Sequence, residues 1–153
     1  MTEIKQIDSL EAALEHAERL DQAASATLTE VGEGPLRAGA SAEFLRGTFE
    51  EAETVLLIAE EAGVEVGICL TGAWREPLSG DRFAAVLALH VDPDLRHRGI
   101  ARSLVGHAVT LLAQRGVERL GARVEHNDDA RISMGERWGW TRAWEWMDSG
   151  PRD

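Results

Sequence analysis

The stretch Leu89-His-Val-Asp-Pro-Asp-Leu-Arg-His-Arg-Gly-Ile-Ala-Arg-Ser-Leu104 decides the fold of this 153-residue chain. It continues from an apolar run, Phe83–Leu89, of the kind that forms a central strand buried on both faces of a sheet. A turn at Val91-Asp-Pro-Asp94 then leads to a helix predicted from about Gly99 to Arg115. One stripe of that helix is apolar: Ile100, Leu104, Ala108 and Leu112.

A glycine and three arginines at the start of this helix predict an anion site. The first amides of a helix have no partner within it, and the helix dipole adds about half a positive charge there. Gly99 lets an anion approach the backbone, and Arg96, Arg98 and Arg102 can reach further phosphate oxygens. The sequence contains no G-x-x-x-x-G-K-[ST] and no G-x-G-x-x-G after a strand, which disfavours P-loop and Rossmann sites.

The rest of the chain alternates predicted helices and strands in a mixed α/β order, which we interpret as a single domain over residues 1–153. The apolar alternation in Val64–Leu70 predicts a strand with one covered face. The further predicted elements are a strand at Glu3–Ile7, a helix capped by Asp8 or Ser9 and apolar on one side as far as Leu28, a helix from Ser41, strands at Thr54–Ile58 and Leu120–Val124, a helix capped by Asn127, Asp128 or Asp129 and ended by Gly139, and a last strand at Thr141–Met147.

Composition excludes several classes of protein. Sixteen basic and 27 acidic residues give a net charge of −11, which argues against a general nucleic-acid binder. The single cysteine, Cys69, cannot form an intramolecular disulfide, and no Cys/His cluster has zinc spacing. The sequence shows no signal peptide and no apolar run of membrane-spanning length, so we expect a cytoplasmic protein. Locally, however, the segment from Arg96 to Arg123 holds six arginines and one acid, Glu118.

Two segments resemble a known family. Arg96-His97-Arg98-Gly99-Ile100-Ala101 resembles the [Q/R]-x-x-G-x-[G/A] signature of the GNAT superfamily of N-acetyltransferases, in the expected context of strand, turn and helix. The segment from Asn127 to Trp140 resembles the family's N-x-x-A…G-F segment, with Trp140 in the Phe position. This resemblance implies a GNAT-like mixed central sheet of about six or seven strands flanked by about four helices.

The resemblance also implies a co-substrate, acetyl-CoA, and transfer of its acetyl group to a primary amine of a small molecule or peptide. Backbone amides of the loop would hold the pyrophosphate, the pantetheine arm would pair with the strand, and one strand amide would polarise the thioester carbonyl. No metal is implied, and a homodimer is compatible with the family. The implied coenzyme-binding residues are Leu89, His90, Val91, Arg96, His97, Arg98, Gly99, Ile100, Ala101, Arg102 and Asn127.

Catalytic residues stay unassigned, because the chain departs from the family here. The family commonly protonates the leaving thiolate with a tyrosine, whereas this chain has none. The matching position is Gly135 counted back from Gly139, or Met134 counted forward from Asn127. Where some relatives place a glutamate base, this chain has Ala85. Three residues are candidate bases by position alone, although a structural role is the commoner outcome for each: His90, His126 and Glu65.

Three functional hypotheses follow. The first is an acetyl-CoA-dependent N-acetyltransferase. The second is a non-catalytic acyl-CoA-binding or regulatory domain of the same fold, which the missing tyrosine motivates. The third is an adaptor that dimerises through its Trp-rich last strand and binds no coenzyme. A glutamate-rich stretch from Glu50 to Glu65 gives a weak indication of a cationic acceptor.

Overall fold

The computed structural model describes residues 1–30, 34, 36–143, 147 and 149–150. Contacts divide the chain into two compact units, Met1–Arg123 and Val124–Asp153. The single domain predicted over 1–153 stays a prediction. Within the described residues, no helix has both the length and the apolar character needed to cross a membrane.

The first unit is a five-stranded sheet with helices on both faces. The strands are ordered β1-β2-β3-β4-β5, with antiparallel pairs up to β4 and a parallel β4–β5 pair. Because α4 connects the parallel pair, β4, α4 and β5 form a strand–helix–strand crossover. The elements are β1 (Thr2–Ile7), α1 (Leu10–Glu15), α2 (Ala17–Glu30), α3 (Ala40–Thr48), β2 (Val55–Glu61), β3 (Val64–Arg75), β4 (Arg82–Val91), a 3-10 turn (Pro93–Leu95), α4 (Ile100–Gln114) and β5 (Leu120–Ala122).

The first predicted helix is in fact two. Ser9 caps α1, since its hydroxyl accepts a hydrogen bond from the Ala12 amide at 3.2 Å. The backbone leaves the helical conformation at His16, with φ −97° and ψ 0°, and α2 starts at the next residue. Apolar residues keep helical spacing across this break because α1 and α2 both pack on one core, so the sequence pattern does not reveal it.

One face of the sheet packs against α1, α2 and α3, and the other against α4. Ile68 belongs to the first core, whereas a Cβ built on the adjacent Gly67 would meet Leu104 of α4 at 3.2 Å. Neighbouring strand residues point to opposite faces, so the two helical layers lie on opposite sides. The buried core on the α1–α3 side comprises Ala13, Ala17, Leu20, Ala23, Leu45, Leu56, Ile58, Ile68, Leu70 and Ala88.

This layering corrects the prediction that β3 has one covered face. β3 is buried on both faces from Val66 to Gly72, because α4 covers the side that carries the polar and small residues. Cys69 and Thr71 are both 0% exposed. Burial raises the pKa of the Cys69 thiol to about 12, so this thiol stays protonated at neutral pH. In β4, by contrast, Leu87 is 41% exposed, so the prediction of burial on both faces fails at that residue.

The second unit contains α5 (Asp129–Arg137). Its cap is Asp128, one of the three predicted candidates, whose carboxylate accepts from the Arg131 amide at 3.2 Å. Gly139 follows the helix with φ +85°. Of the predicted last strand, residues 141–143 form no strand and residues 144–146 lie outside the described part of the chain. The sheet therefore has five strands within the described residues, slightly fewer than the resemblance implies.

Candidate functional site

The candidate site starts at a β-bulge in β4. Against β3, Val86 lies opposite Thr71 while Ala88 lies opposite Leu70. Leu87 is therefore an extra residue on β4 with no counterpart on β3. A bulge of this kind reverses the side to which the following backbone groups point.

Two hydrogen bonds show this reversal directly. The Ala84 amide donates to the Arg119 carbonyl, on the β5 side, at 3.0 Å. The Asp92 amide donates to the Val66 carbonyl of β3, on the other side, at 2.9 Å. Backbone groups alternate along a regular strand, so two even-numbered residues would point the same way. They point to opposite neighbours because the bulge lies between them.

The reversal turns two amides toward the side of β4 that β5 occupies earlier in the strand. Counting back from Asp92, the backbone of Leu89 and Val91 points away from β3, whereas that of His90 points toward it. Within the described residues, β5 pairs with β4 only at Ala84–Val86. Of the three strand residues predicted to pair with an extended ligand, Leu89 and Val91 thus have the required orientation.

β4 ends in a tight loop that its own arginine holds in place. Arg96 Nε donates to the Val91 carbonyl at 3.0 Å, so this guanidinium is turned back onto the strand end. His97 and Gly99 both have positive φ, +65° and +82°. A histidine in this region costs about 1–3 kcal/mol, which is tolerated where surrounding structure dictates the conformation.

The loop leads directly into α4, whose first backbone amides are available to a ligand. The first helical bond runs from the Ser103 amide to the Gly99 carbonyl at 3.0 Å. The amides of Ile100, Ala101 and Arg102 therefore have no acceptor within the helix. A Cβ built on Gly99 would meet nothing within 4 Å, so space is available beside these donors. The arrangement fits a bound anion.

Arg98 is engaged by a carboxylate from the β2–β3 hairpin. Its Nη2 lies 3.1 Å from Oε1 of Glu61, which also accepts a hydrogen bond from the Thr2 hydroxyl at 2.8 Å. The Thr2 hydroxyl, together with the Arg98 guanidinium and the N-terminal ammonium, holds the pKa of the Glu61 carboxyl below its ordinary value. The sequence shows no signal for this pair, because its partners are 37 residues apart.

A second ion network connects the start of the loop to α2. Arg19 Nη2 lies 3.4 Å from Asp92 Oδ1, and Arg19 Nε lies 3.5 Å from Glu65 Oε2. His16 Nδ1 lies 3.3 Å from the other oxygen of Glu65. Glu65, a candidate base by position, is thus engaged by two side chains that join β3 to the α1–α2 junction.

The remaining predicted residues are placed as follows. His90 is half-buried on β4, and Ala85 is buried there with no group to act as a base. Asn127 and His126 belong to the second unit, where Asn127 directly precedes the cap of α5. Both candidate tyrosine positions, Met134 and Gly135, lie within α5 and carry no exchangeable side-chain proton. No group of three or more His, Cys, Asp or Glu that could hold a metal ion occurs among the described residues.

Solved structures of acetyltransferases share this architecture. A predicted acetyltransferase of Clostridium acetobutylicum with acetyl-CoA aligns over 98% of this chain and 96% of its own, with a TM-score of 0.75 and 15% identity. An aminoglycoside N-acetyltransferase in complex with CoA covers 100% and 96%, with a TM-score of 0.75 and 15% identity. A ribosomal-protein-alanine N-acetyltransferase from Brucella melitensis biovar Abortus 2308 covers 100% and 99%, with a TM-score of 0.64 and 20% identity. At these identities the likeness shows the fold.

Sequence comparison gives the family. An acetyltransferase of Sodalis glossinidius (strain morsitans) is 39% identical over 83 residues, which are 54% of this chain and 54% of that protein. The chain thus matches about half the length of this curated relative. The profile described as Acetyltransferase (GNAT) family matches residues 18–140, most of the chain. The chain therefore belongs to the GNAT acetyltransferase family.

Proposed function

We propose that this protein is an acetyl-CoA-dependent N-acetyltransferase that acts on a primary amine of a small molecule or peptide. One observation carries the proposal: the part of β4 in which the backbone of Leu89 and Val91 points away from β3 leads directly into a loop and helix start that fit an anion. Coenzyme A has the same two parts in the same order, an amide-containing arm joined to a pyrophosphate. The family membership and the coenzyme-bound neighbours support this assignment.

The residues of the loop would hold the phosphates. The amides from His97 to Ala101, with that of Arg102, supply donors beside the open space at Gly99. Arg98 and Arg102 add positive charge, while Arg96 shapes the loop through its bond to Val91. Asn127 as a coenzyme contact stays a prediction.

The strand would bind and orient the arm that carries the acetyl group. The backbone of Leu89 and Val91 points to the side where an extended chain could pair, as an added strand does. An amide in this segment would donate to the thioester carbonyl and stabilise the negative charge that develops on its oxygen. Acetyl-CoA supplies the activated acetyl group.

The reaction forms an N–C bond to the acetyl carbon and breaks its C–S bond. The amine must first lose its proton, since an alkyl ammonium with a pKa near ~10.4 has no lone pair to attack with. The thiolate that leaves takes up a proton in turn. Neither Met134 nor Gly135 can donate one, so another group of the protein or a water molecule must supply it.

Known acceptors of the structural neighbours define the amines to test. Their names give aminoglycosides in one case and the alanine of a ribosomal protein in another. An acceptor screen should therefore contain aminoglycosides, polyamines, amino acids and peptides with an N-terminal alanine.

A second candidate function is coenzyme binding without catalysis. Two observations favour it: α5 offers Met134 and Gly135 where the family commonly has a tyrosine, and Ala85 lies where some relatives have a glutamate. Such a regulatory domain would bind acetyl-CoA and transfer nothing.

Two measurements test these functions. At a hundredfold excess over Kd, acetyl-CoA should stabilise the fold by about 2.7 kcal/mol, which a thermal shift detects. No stabilisation would reject both candidates. Release of free thiol with any amine of the screen would then establish transfer, whereas binding with no release from the whole screen would favour the regulatory domain.

A further inference from the structure

Gly72 of β3 lies beside the bulge of β4. It pairs with Ala85, one step before the register shifts around Leu87. Gly72 does not have positive φ, so its backbone conformation is open to any residue. The reason for a glycine must be sought in the space around it.

That space is filled by two side chains from elsewhere in the fold. A Cβ built on Gly72 would lie 2.6 Å from Cδ1 of Leu87 and 2.7 Å from Cζ of Phe44. Real Cβ atoms essentially never approach other atoms so closely. Leu87 is the extra residue of the bulge, and Phe44 belongs to α3, which packs on the main core. The missing methyl group of Gly72 thus leaves a recess that the tips of Leu87, from the bulge, and Phe44, from α3, both occupy.

We propose that Gly72 is a positioning residue, which holds the bulge of β4 in register by admitting the Leu87 side chain against Phe44. The inference rests on the proposed function, because the bulge decides which amides face the coenzyme arm. With the bulge at Leu87, the backbone of Leu89 and Val91 points away from β3. If the unpaired residue of β4 lay after Val91 instead of at Leu87, β4 would keep the regular alternation of a strand as far as Val91. The amides of Leu89 and Val91 would then point toward β3.

Two substitutions disturb this contact in opposite ways. Gly72→Ala fills the recess and pushes out the tips of Leu87 and Phe44. Leu87→Ala empties it and removes the anchor of the bulge without adding any atom. Both should weaken binding of the coenzyme arm and leave the phosphate loop intact, because the loop has contacts that do not involve the backbone of Val91. The Asp92 carbonyl accepts a hydrogen bond from the Leu95 amide at 2.9 Å, and the Asp92 carboxylate pairs with Arg19.

The test compares two probes of different length. Acetyl-CoA engages both the strand and the loop, whereas adenosine 3′-phosphate 5′-diphosphate, the nucleotide part of the coenzyme, lacks the arm. Calorimetry should show acetyl-CoA affinity reduced about tenfold in each variant, with nucleotide affinity unchanged. Matched controls are Gly47→Ala, where a Cβ meets nothing within 4 Å, and Leu78→Ala, where the leucine is 97% exposed.

The affinities for the two probes distinguish failure of this inference from failure of the proposed function. If the wild-type protein binds neither probe, the proposed function is wrong. If the wild type binds both, and both variants keep wild-type affinity for acetyl-CoA, Gly72 has no positioning role. Equal losses for the two probes would also overturn the inference, since the effect would not be confined to the strand. Leu87→Ala keeps the test informative should Gly72→Ala fail to fold.

Discussion

The loop after β4 and the bulge within β4 each depend on a glycine, but the two glycines serve different needs. Gly99 has φ +82° and open space where a Cβ would be, so it provides a backbone conformation and room for a ligand. Gly72 has an ordinary strand conformation and no room, because two side chains of the protein fill the space. Gly99 thus leaves open space beside the start of α4, whereas the space at Gly72 is filled by side chains of the protein.

The largest expected effect concerns the loop. Gly99→Glu should abolish acetyl-CoA binding, a loss of about a hundredfold or more, because its carboxylate would occupy the phosphate space and repel the phosphates. The strained backbone should cost only about 1–2 kcal/mol of stability. Titration calorimetry measures the affinity, and a thermal melt follows the fold.

Gly116→Glu is the matched control for that variant. Gly116 has φ +81° and open space around it, as Gly99 does, but it lies at the other end of α4. It should show the same loss of stability and no loss of affinity. Retained acetyl-CoA affinity in Gly99→Glu would refute the phosphate site.

The next largest effect tests whether Gly72 and Phe44 share the recess at the bulge. In a Gly72→Ala background, Phe44→Leu should restore several-fold of the lost acetyl-CoA affinity, because the shorter side chain gives up the space that the new methyl needs. Phe44→Leu alone should cost about 1 kcal/mol of stability. A double-mutant cycle from calorimetry gives the coupling, and additive effects would show that the two residues do not share the recess.

These two regions also differ in how far a single sequence predicts them. The loop, the helix start and Gly99 lie within one contiguous segment, so the motif by itself predicts an anion site there. The bulge depends on residues 44, 72 and 87, which three elements bring together. A single sequence gives no strand register, and the apolar run in β4 reads the same with or without an extra residue.

Other differences between the predicted and the observed structure also arise from contacts between distant elements. The apolar pattern does not reveal the break at His16, because both helices face one core. The alternation in β3 predicts an uncovered face at Cys69, and only the position of α4 shows that this face is buried. The caps at Ser9 and Asp128, by contrast, are among the predicted candidates, since each depends on a side chain a few residues from its partner.

A smaller effect is expected at Glu61, whose carboxylate pairs with Arg98 and would compete with a bound phosphate for this guanidinium. Glu61→Gln should raise acetyl-CoA affinity a few-fold, about the strength of an exposed ion pair. Glu60→Gln is the control, because Glu60 pairs with Lys5 instead. Calorimetry at low salt measures the change, and lower affinity in Glu61→Gln would mean that Glu61 positions Arg98 for the coenzyme.

The same pair predicts a pH dependence. The pKa of Glu61 lies below its ordinary value, so the carboxylate stays charged through neutral and mildly acidic pH. Protonation at lower pH would release Arg98. The advantage of Glu61→Gln over the wild type should therefore persist at mildly acidic pH and vanish only below that lowered pKa. If Glu61→Gln and the wild type instead had equal acetyl-CoA affinity at neutral pH, a group other than Glu61 would be responsible for the pH dependence.

No effect on binding is expected from the ion pair that anchors the start of β4. Glu53 is 8% exposed and accepts from Arg82 Nε at 2.9 Å and from its Nη2 at 3.0 Å. Glu53→Gln should lower stability by about 1–2 kcal/mol, measured by chemical denaturation, and leave acetyl-CoA affinity unchanged. A tenfold loss of affinity would show that the whole strand, and not its bulge, sets the orientation of the amides.

A crystal structure with acetyl-CoA bound would test both parts of the proposed site at once. We expect the pyrophosphate within hydrogen-bonding distance of the amides of Ile100 and Ala101, beside Gly99. We also expect the pantetheine arm to pair with the backbone of Leu89 and Val91. Phosphates bound away from the start of α4, or an arm paired with the backbone of Ala88 and His90, would contradict the proposed site.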